Sequence, residues 1–141
     1  MNFEDTLKVG AKVYNVGYVE LGNRCYELND DGTINFNTGE NDLQGGYDGD
    51  GNPIEAKDMI FFEFSKCIIL PNDAAKKVTL TDGSVYQYSY EVFAPLSKTG
   101  YKMLPKEGDK VWITKKDGTI DKEIEVKGFN TYKQRYLKLW L

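Results

Sequence analysis

No histidine occurs in this chain. That absence removes the commonest general acid–base and the commonest metal ligand together. Cysteine is nearly as scarce: Cys25 and Cys67 stand far apart, without CxxC spacing. Two cysteines and no histidine cannot supply the four ligands of a structural zinc site. The pair could form one disulfide; without a secretory leader the default is two reduced, small apolar side chains. The amino terminus, MNFEDTLKVG, has neither a basic n-region nor an apolar h-region, and no later run is long enough to span a membrane. The expectation is a protein made and folded in cytoplasm, without membrane, metal or cofactor.

What is present is aromatic. Ten Tyr, seven Phe and two Trp accompany abundant Gly and little Ala, a composition that suits half-buried strand faces. A chain of 141 residues fits one domain, here spanning 1–141, with enough apolar residues for a core. The net charge of −4 conceals an asymmetry: residues 1–60 hold twelve acids and four bases, whereas residues 102–141 hold six acids and ten bases. One reading is solvated surfaces that happen to be uneven. The other is an acidic end that meets the basic end of a like partner.

Met59 to Leu70 is a long apolar-rich run closed by Pro71-Asn72-Asp73, and reads as one strand bent near Ser65-Lys66. Lys76 to Leu80 and Val85 to Phe93 flank Asp82-Gly83, the strongest short-range hairpin signal. Within the second of these runs Tyr86, Tyr88, Tyr90 and Val92 share one face, expected to look inward or into a subunit contact. Residues 94–108 read as a loop. A second hairpin follows, Asp109 to Thr114 turning at Asp117-Gly118, with Ile120, Ile124 and Val126 on one face of the return strand. Gly128 shifts the parity, which suggests a bulge or a close backbone approach. The last strand, Tyr132 to Leu141, sets Leu137, Leu139 and Leu141 on one side and Tyr136 and Trp140 on the other. A strand apolar on both faces is central or covered by a neighbouring subunit, so these five residues are candidate interface positions.

In the first half Leu7–Tyr14, Gly17–Leu21 and Arg24–Leu28 read as strands. From Asn29 to Lys57 the chain is polar and rich in Gly, Asp and Asn, too long for an ordinary connection. It reads as a protruding hairpin or arm, or as a functional loop carrying Asp30, Asp31, Glu40, Asp42, Asp48 and Asp50.

Candidate chemistry is thin. Asp48-Gly49-Asp50-Gly51-Asn52 resembles the start of a calcium loop, but Met59 stands where the bidentate Glu belongs, and a tight turn is favoured. No two acids are singled out as a glycosidase pair. No Gly-rich loop opens a helix, no histidine can serve a nucleophile as base, and neither cysteine has a cationic neighbour beyond Arg24 or Lys66. The tyrosine row could stack bases, as in OB-fold domains, but it lies in a charge-neutral stretch without a basic groove. The chain reads as no enzyme.

Residues 59–141 resemble, in order, the head-closure or head–tail connector proteins of tailed bacteriophages. The resemblance rests on the strand with Cys67 that ends in Leu70-Pro71, on DGSVYQYSYEVFAPL, on Pro105 to Val111, on the Lys-Asp-Gly turn, on Val126 to Phe129, and on the terminal RYLKLWL. It implies a small antiparallel β-barrel that assembles with copies of itself into a ring in the virion. That ring would lie between a portal or adaptor ring and a tail protein, close to packaged double-stranded DNA, and would be assembled in the bacterial cytoplasm. The acidic loop would line or gate the channel. The competing expectations are a monomeric OB- or SH3-like module for single-stranded nucleic acid or sugar, and another virion ring such as a tail-completion protein. The hairpin assignment is testable: Gly83→Val should cost about 1–3 kcal/mol by forcing a β-branched residue to φ > 0. An unchanged melting temperature would refute the turn.

Overall fold

The computed structural model describes residues 2–14, 17–21, 24–40, 50, 52, 58–133 and 135–141. Nearly all of it is antiparallel β structure curled into a half-barrel. The strands are β1 (Asp5–Tyr14), β2 (Tyr18–Leu21), β3 (Arg24–Leu28), β4 (Ile34–Glu40), β5 (Asp58–Pro71), β6 (Lys77–Thr79), β7 (Val85–Gln87), β8 (Tyr90–Pro95), β9 (Lys110–Thr114), β10 (Asp121–Glu125), β11 (Gly128–Tyr132) and β12 (Tyr136–Trp140). One helix, α1 (Lys98–Lys102), interrupts them. The main sheet runs β11-β12-β8-β5-β1-β2-β3-β4, with β9 and β10 branching from β1, and β6–β7 form a separate ribbon.

The branch arises on one strand. β5 covers one edge of β1 from Asp5 to Val13. The other edge is divided: β9 pairs with Thr6 to Val9, and β2 with Lys12 to Tyr14. Gly10 sits at the changeover, where an added Cβ would stand 2.9 Å from the Lys110 carbonyl and 3.1 Å from Met59 Sδ. A side chain there would push β9 away. The bend expected in β5 is a bulge: Ser65 pairs with Leu7 and Glu63 with Lys8, leaving Phe64 as the extra residue. Across it the buried positions change parity, from Phe62 and Phe64 to Cys67 and Ile69.

Alternation then builds the core. Leu7, Val9 and Ala11 of β1, Val92 and Ala94 of β8, Val111 and Ile113 of β9, and Leu137 and Leu139 of β12 point to one side and are buried. Leu137, Leu139 and Leu141 are 0% exposed, so they belong to the core and not to an interface as their pattern suggested. Leu141 also exchanges backbone hydrogen bonds with Tyr90. β12 lies between β8 and β11, which makes it central.

Other boundaries differ from the sequence reading. The Val85–Phe93 run is broken at Tyr88-Ser89, because Asn72 takes the Tyr88 and Ser89 carbonyls with its Nδ2 and backbone N–H. The break also splits the expected row of Tyr86, Tyr88, Tyr90 and Val92: Tyr90 and Val92 pack on the core, Tyr88 is buried against Trp140 and Glu91 on the opposite side of the sheet, and Tyr86 belongs to the separate β6–β7 ribbon. The expected loop at 94–108 contains α1, capped by Ser97 Oγ accepting from the Gly100 N–H. Tyr132 closes β11 instead of opening the last strand. Gly128 is a close approach without a bulge: the β11–β12 register is unbroken, and an added Cβ would meet the Trp140 ring at 3.3 Å.

The 29–57 segment is not an arm throughout. Residues 29–40 complete a hairpin with β3, with Ile34 and Asn35 paired to Leu28 and Glu27 and β4 running on to Glu40. Residues 41–49, 51 and 53–57 lie outside the described set, as does most of the calcium-like Asp48 to Asn52 sequence. Among the described residues no cluster of three metal-ligating side chains occurs, and no helix is long and apolar enough to cross a membrane.

Asp5 clasps the branch point. Its carboxylate accepts the Ile69 N–H from β5 and the Lys116 N–H from the β9–β10 turn, both at 2.9 Å, and Lys115 Nζ lies at 3.8 Å. Asp5→Ala would orphan two backbone donors, one buried and one part-buried. The expected loss is on the order of 2–4 kcal/mol, read as a lower midpoint in urea denaturation. A loss below ~0.5 kcal/mol would show that the two N–H groups find water instead.

Candidate functional site

The side of the half-barrel opposite the core is aromatic where β5, β8, β12 and β11 lie side by side. Cross-strand pairing decides which residues meet. Phe93 on β8 pairs with Ile68 on β5 and with Lys138 on β12. Glu91 pairs with Leu70 on one side and Trp140 on the other, and Tyr136 pairs with Tyr132. Alternation turns all of these away from the core, because their neighbours Ile69, Val92, Leu137 and Leu139 turn into it.

Phe93 is the centre of the face. Its ring stacks on Tyr136 at 4.9 Å and 16°, and Tyr132 tilts against it at 6.5 Å. Phe3, from the segment before β1, lies over both Phe93 and Tyr136 at 6.4 and 6.5 Å. Leu70 is 50% exposed, Tyr132 42% and Tyr136 37%. Beside the stack is an open groove of about 630 Å³ lined by Ile68, Leu70, Glu91, Phe93, Tyr132 and Lys138. Lys138 Nζ meets Glu91 at 2.8 Å and lies 5.2 Å from the centre of the Trp140 ring. The hydrogen bond to Glu91 raises the Lys138 pKa, so the groove floor carries a closed ion pair.

No protein-family model matches this chain, and no match is found among curated proteins or solved structures. The site therefore rests on its own geometry.

Of the five interface candidates from the sequence, Tyr136 and Trp140 stand on this outer face, and the three leucines do not. The pattern missed Phe3, Ile68, Leu70, Phe93 and Tyr132. Tyr132 reaches Tyr136 through the tight turn between β11 and β12, whereas Phe93 is brought beside it only by the order of the sheet.

Both signalled turns form as expected, and a third repeats them. Asp82 Oδ1 accepts the N–H and hydroxyl of Ser84, at 2.8 and 2.6 Å, with Gly83 at φ +86°. Asp117 does the same for Thr119 with Gly118 at φ +79°. Asp31 does it for Thr33 with Gly32 at φ +86°. Asp31 is thus a turn former, though its position suggested a channel acid; the Asp-Gly-Thr signature was there to be read. Asp30 beside it is exposed, Glu40 ends β4, Asp50 is exposed, and Asp42 and Asp48 lie outside the described residues.

The cysteines are free and buried. Burial, aided by the Asp5 carboxylate, pushes the Cys67 thiol up to about 12, which suits a packing role and not a nucleophile. Burial and the Glu20 carboxylate likewise push the Tyr14 phenol up to about 12. The tyrosine row is occupied: Tyr88 donates to Glu91, while Lys127 and Lys122 lie 4.7 Å from the ring centres of Tyr86 and Tyr90.

The turn aspartates have a stated pH consequence. Side-chain and backbone hydrogen bonds hold Asp31, Asp82 and Asp117 below the ordinary value of 3.8. A carboxylate depressed in the folded state contributes stability above its unfolded pKa and loses it as pH falls through the folded value. The urea midpoint should therefore respond to these groups only below about pH 4, and Asp→Asn replacement at all three should flatten that acid limb. An acid limb identical to wild type would refute the assignment.

Proposed function

We propose that this chain is a structural subunit of a tailed-bacteriophage virion, forming a ring of copies at the head–tail interface. In this reading the ring closes the DNA-filled head and joins it to the tail, between a portal or adaptor ring and a tail protein. The observation that carries it is the outer aromatic face around Phe93, added to the ordered resemblance of residues 59–141 to head-closure proteins. A central strand that is aliphatic inside and aromatic outside provides more apolar surface than a small lone domain needs. Ring subunits need such a surface for heterologous contact, where one patch meets a different patch on the next copy.

Charge supports the same reading. Residues 18–40 hold five acids and one base, and residues 127–140 hold four bases and no acid. A channel that conducts DNA gains from acidic or neutral walls, since a basic lining binds phosphates and retards sliding. The tyrosine row at 86, 88 and 90 favours packing over base stacking, because its rings are buried or covered by lysines.

The test is genetic and physical. A phage lacking this chain should accumulate free tails together with heads that have lost their DNA, and complementation in trans should restore complete particles. Intact, infectious virions assembled without the chain would overturn the reading.

A further inference from the structure

The sheet path has two ends, β4 and β11, and its side branch ends on β10. These three edges are not alike. β10, Asp121–Glu125, carries four charges in five residues, the usual protection against edge pairing. β11, Gly128–Tyr132, carries none, and its Phe129 and Tyr132 are 43% and 42% exposed. β4 has no lysine or proline, and Glu40 is its only charged residue. Charge therefore guards the side branch, and the strands at the two ends of the path carry little of it.

The ends are also opposite in charge. Lys133 and Arg135 lie on the β11–β12 turn between Tyr132 and Tyr136, are exposed, and have no ion-pair partner among the described residues. At the other end Glu27 and Asp30, on β3 and the β3–β4 turn, are likewise exposed and unpaired. From this complementarity we infer that the β11–β12 end of one copy docks head-to-tail on the β3–β4 end of a second copy. Lys133 and Arg135 face Glu27 and Asp30 across the contact, with Tyr132 buried beside them. Lys102 already holds the Phe36 carbonyl of β4 at 3.3 Å, so the contact relies on ion pairs and aromatic burial more than on a backbone ladder. Two unlike patches on one chain form a heterologous contact, which closes into a ring if the rotation permits. The inference rests on the ring reading above and names the surfaces that make the ring.

The experiment is a charge swap on the purified full chain, followed by light scattering across a concentration series at low and high salt. Wild type should self-associate, and more weakly in high salt. Lys133→Glu with Arg135→Glu, and separately Glu27→Lys with Asp30→Lys, should each weaken self-association at least ~10-fold with melting temperature unchanged. An equimolar mixture of the two variants should recover it, because each supplies the end the other lacks. A wild type that stays monomeric throughout would overturn the inference. So would variants that associate like wild type, or a basic-end variant that loses only binding to a DNA oligonucleotide. Rings that survive both swaps would refute this contact and leave the ring reading standing. Swaps that behave as expected in a chain dispensable for virion assembly would keep the contact and refute the phage role.

Discussion

The fold depends on one strand serving three neighbours. β1 has only two edges, yet it pairs with β5 along its length, with β9 over its first half and with β2 over its second. This requires β9 to end where β2 begins, and the chain meets that demand at Gly10, where a side chain would collide with the Lys110 carbonyl. Asp5 fixes the start of the same strand by accepting N–H groups from β5 and from the β9–β10 turn. Curl follows, because a sheet that divides on one edge cannot remain flat.

With β1 set, the remaining strands sort their side chains into two chemically different layers. The inner layer is mostly aliphatic and small, with valine, leucine and isoleucine at nearly every central position. Such side chains interdigitate without polar atoms to satisfy, and no buried side-chain polar atom among the described residues lacks a partner. The same layer includes Tyr26, whose hydroxyl donates to the Lys102 carbonyl of α1 and whose ring meets Phe36 edge-on at 5.2 Å. The outer layer holds the aromatic stack centred on Phe93. Rings placed there gain dispersion from one another while remaining available to a partner.

Charge asymmetry along the chain becomes asymmetry in space for a topological reason. Residues 18–40 and 127–140 are far apart in sequence, and the strand order sends β2–β4 to one end of the path and β11–β12 to the other. Had β12 paired beside β2, the same residues would have neutralised one another. The proposed head-to-tail contact makes use of this separation.

The local chemistry was legible in the sequence. Asp-Gly followed by Ser or Thr specifies a turn by itself, since glycine takes the left-handed conformation and the aspartate satisfies the donors two residues on. Alternation marked β1, β9 and β12, and the break of parity at Gly128 marked a close approach. Residues 34–40 were hidden because asparagine and threonine blur the apolar rhythm of β4, whose partner β3 supplies the missing information. The three terminal leucines were misassigned to an interface because a sequence shows that a strand has two apolar faces without showing which one the core takes. Only the sheet order decides that, by setting β12 between β8 and β11 and turning Leu137 and Leu139 inward. The same placement gathers Phe3, Phe93, Tyr132 and Tyr136, from four separate segments, into one surface. Local rules fix where a chain turns; which face meets water depends on neighbours distant in sequence, and that is a property of the tertiary structure alone.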